Sequence, residues 1–359
     1  MLSIVKRAFD HVRGMGTASV AIPLFDGALK PNNDLESAAV LIEGSGYNDI
    51  TPDGSGGIYA AHAKELLKID DAGNCRTVEE FDSPIQAVCQ AGRALAIAFE
   101  QRVIVRGGEY DGREINSCGG SSLKSLNAVS FDGLGHLYIS QGSTLNPNED
   151  WKRDLMSRGN TGRVIKHALK GGDTTIVGAG LQYCFGVCST SERVLVSESW
   201  AHRIVDVSGN RAVPALWGLP GYPARISAAG SDGYWLSLFA RRTQLIEFVL
   251  RERGYREEMM RSIPSDYWIA PSLRSGGDYL EPLQFGAVRQ MGIFKPWAPT
   301  NSYGVVVRLD RDLVPKYSFH SRAGGTNHGT VSAVESGDHV FVLSKGAGRL
   351  LKLPIPEMI

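Results

Sequence analysis

The chain has 359 residues, with 38 basic side chains set against 38 acidic ones, so no global field recruits a nucleic acid or an anionic membrane surface. No run of about 18 apolar residues occurs, which excludes a spanning helix; Lys6, Arg7, Asp10 and Arg13 break the stretch a signal peptide keeps apolar, and a cytoplasmic protein with a small-molecule substrate is expected. Cys75, Cys89, Cys118, Cys184 and Cys188 lie in or beside apparent strands without a CxxC pair, the pattern of free thiols and not of a zinc site.

In chain order, residues 1–37 read as a lead-in, and 23–37 as extended chain with turns. Residues 38–43 form a short apolar strand suited to close a ring by pairing with the last repeat. From there one pattern returns six times: a Gly or Asp turn, then a β-rich run. Its copies are 56–61, 92–98, 135–140, 191–198, 232–238 and 337–344. Outer strands follow at 65–70, 102–106, 162–167, 202–207, 304–310 and 348–353, alternating or nearly so. A repeated all-β unit cannot bury its own apolar face, so its copies pack on one another. The expected fold is all-β, a six-bladed β-propeller over 38–359 with its ligand site in the central channel.

Spacing is regular to Trp235 and then long, which places a helical and loop excursion at 243–302, between blades five and six. Its first part, 243–261, sets Leu245, Ile246, Val249 and Leu250 against Glu and Arg, an amphipathic helix. Two readings stand, a surface excursion packed on one blade or a lid over the channel mouth. Tyr279, Phe285, Phe294 and Trp297 enrich its second part in aromatic residues.

The stretches Asp26-Gly27-Ala28-Leu29-Lys30-Pro31-Asn32, Thr161-Gly162-Arg163-Val164, Ser197-Glu198-Ser199-Trp200-Ala201-His202-Arg203 and Gly218-Leu219-Pro220-Gly221-Tyr222-Pro223 resemble the strictosidine synthase and gluconolactonase group of six-bladed propellers. The hydrolases of that group hold a central calcium with a Glu, two Asn and an Asp. The ion polarises a carbonyl or phosphoryl oxygen and wants hard oxygen ligands. Here the matching positions read Gly46-Tyr47-Asn48 for Gly-Pro-Glu, Leu126-Asn127-Ala128 for Leu-Asn-Asp, Cys184-Phe185-Gly186-Val187 for Pro-Asn-Gly-Val, and Tyr222-Pro223-Ala224-Arg225 for Tyr-Pro-Asp-Asn. Both carboxylates are missing and Phe185 intrudes, so no cofactor is expected. If calcium does bind, Asn48, Asn127 and Asp49 are its ligands.

Arg225 then has two roles open to it: a fork for a substrate carboxylate or phosphate, or the partner of a structural acid. Strictosidine synthase is similar in lacking the metal and uses a Glu of the last blade. That position falls near Val331 here, while Glu335 matches a later Glu, so the mechanism does not carry over cleanly. His328 is the titratable side chain expected to face the channel from this blade and, with Asp49, is the candidate to move protons. Asn48, Asn127, Phe185, Arg225 and Trp151 are the expected substrate-binding residues. Glu198, Trp200 and His202 share a face near a strand end, where structural ion pairs are common. No Gly-x-Ser-x-Gly elbow is present, and the Gly pairs lie in turns outside any βαβ unit.

The expected function is a metal-independent hydrolase or lyase acting on a small polar or anionic substrate. A calcium-dependent lactonase or esterase, and a non-catalytic ligand-binding propeller, are the alternatives.

Overall fold

A computed structural model describes residues 22–230, 232–275, 280–282, 289–290, 293–294, 302–322 and 324–356. Tyr279, Phe285 and Trp297, and the signal-peptide argument on residues 1–21, lie outside the described residues. Six four-stranded antiparallel sheets follow one another along the chain. Their inner strands are Tyr47–Pro52, Ala87–Ala91, Leu126–Phe131, Cys184–Ser189, Gly221–Ala228 and Thr330–Ser336. Each inner strand packs beside the next, and that of blade six returns to blade one. This is the expected propeller.

The repeat seen in the sequence is the hairpin that leaves each inner strand. In blade one the Asp53 carboxylate accepts from the Ser55 and Gly57 amides at 2.7 and 2.9 Å. In blade three Asp132 accepts from Leu134 and His136 at 2.7 and 3.0 Å. The short acceptor pulls the backbone into a tight turn, which Gly135 completes at φ 95°, a value that L side chains rarely reach.

The ring closes by pairing Ala39–Glu43 with Arg349–Pro354, as outer strand of blade six. The lead-in docks nearby through helix α1, Asp34–Ser37, whose Leu35 is fully buried. Asn32 ties it to blade five by donating to Ser318 O at 2.7 Å and accepting from the His320 amide at 2.9 Å.

The excursion sits differently from its expected place. Tyr234–Arg241 pairs directly with Val305–Leu309, so the chain departs and returns inside blade five, between its second and third strands. Spacing alone counts the surplus residues without saying on which side of the third strand they fall. The amphipathic segment is also two helices, α3 (Gln244–Val249) and α4 (Arg253–Ser262). Thr243 caps α3 by accepting from the Ile246 amide at 3.2 Å. Blade three carries a smaller insertion at the equivalent place, containing helix α2 (Trp151–Met156).

All five cysteines are free, and only Cys75 is exposed. Among the described residues no helix is long and apolar enough to cross a membrane.

Candidate functional site

Both insertions leave from second-to-third strand connections, which lie at the end of the ring where each inner strand starts. They meet over the channel mouth. Arg256 of α4 donates to the Met156 carbonyl at the end of α2, Lys152 donates to Ser265 O at 3.3 Å, and the Arg153 guanidinium lies 5.4 Å from the Trp268 ring. Beyond α4 the chain descends until Leu273 O stands against Gly329 and Gly346, where neither glycine has room for a Cβ. Met259, Trp268 and Ala270 thereby join one apolar cluster with Trp200, Tyr222 and Phe239 of the blades.

Beneath this cover the inner strands share an irregularity. Register slips at Asn48 in blade one, Asn127 in blade three, Phe185 in blade four, Ala224–Arg225 in blade five and Val331 in blade six. A bulge inserts one unpaired residue and re-aims its side chain. Asn48, Asn127, Phe185, Arg225 and Val331 all line one cavity of about 60 Å³. Trp151, Tyr183, Trp200 and Phe239 supply its aromatic wall, and Leu273 and Lys345 its rim. Tyr183 stacks on Trp200 with centroids 4.5 Å apart, and Trp151 continues the stack at 6.0 Å. Thus the structure brings together all five expected substrate-binding residues.

Arg225 occupies the axis. Gly186 makes this possible: a Cβ there would lie 2.7 Å from Arg225 Cα, so only glycine lets the two inner strands approach. The guanidinium donates to the carbonyls of Asn48 (2.9 Å), Gln86 (2.8 Å) and Asn127 (2.7 Å), which belong to or adjoin the inner strands of blades one, two and three. Its Nε faces Asp49 Oδ2 at 3.2 Å, and its plane lies 5.3 Å from the Phe185 ring. The structural-acid role is therefore the one seen, and it engages most of the fork. Of its five N–H groups, three donate to these carbonyls, the Nε N–H faces Asp49 as an ion pair without an aligned hydrogen bond, and one on Nη1 has no acceptor among the described residues.

Asp49 is on the far side of the pair. It is 3% exposed and accepts from the Ile50 and Val88 amides at 2.9 and 3.1 Å. Burial lifts its carboxyl above the usual range, against the opposing pull of Arg225. Asp49 borders the lower channel, a space of about 250 Å³ lined by Thr51, Cys89, Ser130, Cys188 and Ser189 among others. The Arg225–Asp49 pair is thus a partition between a small mouth cavity and a larger lower channel.

His328 does not face the mouth cavity as expected. It is buried behind the wall, with Nδ1 at 2.6 Å from Ser302 Oγ and Nε2 at 2.7 Å from Arg322 O, and burial lowers its pKa. The bulge at Val331 turns that residue to the axis instead. The Glu198 group is structural: Glu198 accepts from the Gln182 amide at 2.7 Å and from Arg203 at 2.5 Å. His202 bridges to Glu247 of α3 at 3.3 Å, and Trp200 donates to Asp154 at 2.9 Å.

Sequence reasoning missed Lys345. It follows the second strand of blade six and donates to Asn48 Oδ1 at 2.7 Å. Lys345 keeps solvent contact at the rim while protein crowds its ammonium end. Burial first, then the Arg225 charge, push the ammonium down to about 8.

A divalent ion does not fit these residues. The carbonyls and the carboxylate that converge on the axis are already engaged by a guanidinium, whose charge repels a second cation. The amide nitrogens of Asn48 and Asn127 donate to Ile85 O (2.7 Å) and Cys184 O (3.0 Å), and Asn48 Oδ1 is taken by Lys345. Among the described residues no group of three His, Cys, Asp or Glu side chains is placed to hold a metal.

No family model matches the chain, and no curated protein matches it. Solved structures do. A putative gluconolactonase superposes with a TM-score of 0.55 at 11% identity, over 88% of this chain and 91% of that one. A luciferin-regenerating enzyme gives 0.54 at 10%, over 87% and 92%. A calcium-binding protein, regucalcin, from Agrobacterium tumefaciens gives 0.54 at 12%, over 88% and 92%. At these identities the likeness establishes the six-bladed fold.

Proposed function

We propose that the chain is a small-molecule enzyme of the gluconolactonase-like propeller type, working in the mouth cavity without a bound divalent ion, on a small anionic substrate. One observation carries the reading: five inner-strand bulges aim their side chains at one point, and a fixed guanidinium stands at that point. In this chain the positions that the resemblance gives to metal ligands surround Arg225. Asp49 cancels its charge, so Lys345 leaves the cavity net positive. A substrate carboxylate is met by Lys345 and the remaining Arg225 N–H. Its apolar part lies against Trp151, Phe185 and Trp200, in a setting that covers the reacting atoms and limits water.

Hydrolysis of a lactone or ester is the first activity to test. The protein, chelated and dialysed, is assayed against carboxylate-bearing lactones and esters, with metal content measured alongside. Saturable turnover unaffected by chelation supports the proposal. Calcium retained at one per chain, or turnover restored by calcium alone, overturns it. A second reading, ligand binding without catalysis, is favoured by the absence of any carboxylate among the described residues lining the cavity. Saturable quenching of tryptophan fluorescence with no turnover decides for that reading.

A further inference from the structure

We propose that Lys345 is the reactive group of this cavity, an amine that condenses with the carbonyl carbon of a small aldehyde acid or 2-oxo acid to form an imine. The inference rests on the cavity reading above and adds a substrate class and a covalent step to it.

Position carries the argument. Lys68, Lys316 and Lys352 each have a carboxylate partner, at 2.9, 2.9 and 3.9 Å. Lys345 has a neutral amide oxygen instead and the Arg225 cation for a neighbour, with Asp49 held on the other side of that guanidinium. Only the neutral amine attacks a carbonyl, and among the described residues no carboxylate pairs with Nζ to hold it away from one. Asn48 Oδ1 accepts one N–H and so fixes the direction of Nζ. The rim position leaves Lys345 in contact with solvent, which exchanges the protons and takes up the water.

The step balances without a further reagent. The Nζ lone pair forms a C–N bond to the carbonyl carbon as the C=O π electrons move to oxygen, giving a carbinolamine once protons redistribute. The hydroxyl then leaves as water, having gained a proton, and the nitrogen loses its last proton to solvent to leave a C=N bond. A carboxylate on the same molecule lies within the field of Arg225 and its free N–H.

Glyoxylate, the smallest aldehyde acid, is the probe. The full chain is incubated with glyoxylate near one equivalent, cyanoborohydride supplies hydride to any imine, and peptide mapping locates the added carboxymethyl group. Tryptophan fluorescence reports occupancy in parallel. The expected result is modification at Lys345 about tenfold or more faster than at any other lysine, slowed by excess acetate. Lys345→Arg should abolish the fast trapping and leave the other lysines reacting at their own slower rate. Quenching by glyoxylate without preference for Lys345 overturns the covalent step and leaves the cavity reading in place. Neither quenching nor selective trapping overturns both.

Discussion

The two ends of the central channel are built from the same six strands and differ in almost every other way. Toward the hairpin turns the strands pair in register and offer small side chains, such as Ser130, Cys188 and Ser189, to a channel of about 250 Å³. At the mouth five of them bulge, and insertions from blades three and five supply aromatic cover. Repetition builds the wall, and departures from repetition build the site. A feature that occurs once, such as the axial guanidinium, can only come from such a departure.

If this contrast is right, substitutions should be costly at the partition, graded above it and nearly silent below it. Arg225→Leu is the severest test. It leaves Asp49 buried without its counter-charge and three carbonyls without their donor, and should cost about 3–5 kcal/mol in urea unfolding. Adding Asp49→Asn should return part of that loss. A cost below about 1 kcal/mol would show that the axial cation is not structural.

Acid should loosen the cover next. Burial works to raise the Glu247 carboxyl, but its contacts with His202 and Arg242 bring it down to about 2. Burial also holds His202 below its ordinary value, so Arg242, at 2.9 Å, is the charged partner at neutral pH. The stabilisation is complete above the ordinary carboxyl value and is lost as pH falls from about 5 toward 2, by about 2 kcal/mol. Glu247→Gln should flatten stability against pH across that window, and an unchanged slope would remove Glu247 as its source.

Phe185→Leu should lower stability by about 1 kcal/mol through the lost ring–guanidinium contact, read from the thermal midpoint with Arg225 intact. Ser189→Ala, in the lower channel, removes a hydroxyl that has no hydrogen-bond partner and should stay within about 0.5 kcal/mol of wild type. A larger loss at Ser189 than at Phe185 would invert the contrast.

The propeller was legible in the sequence because its signals are local: turn residues, alternation, and an apolar strand at 38–43 waiting for a partner. Asn48, Asn127, Phe185 and Arg225 were legible as axial positions through their match to a family pattern. That they are bulges was not, since register is a property of two strands. The same cause misdirected His328, one bulge away from the axis residue of its blade. Lys345 escaped notice because a lysine after a strand reads as a solvated end. Only the fold brings it to Asn48, nearly three hundred positions earlier in the chain. The excursion's length was visible, but its place inside blade five depends on which strands pair.

The clasp that closes the ring has a consequence for synthesis. Ala39–Glu43 leaves the ribosome long before Arg349–Pro354 exists to receive it, so blades one to five can stack while the circle stays open. During that interval an apolar edge strand is offered to any neighbouring nascent chain, a standing invitation to exchange partners between molecules. Joining the two clasp strands by a short turn and opening the chain at the hairpin after Asp132 would make the last contact an early, local one.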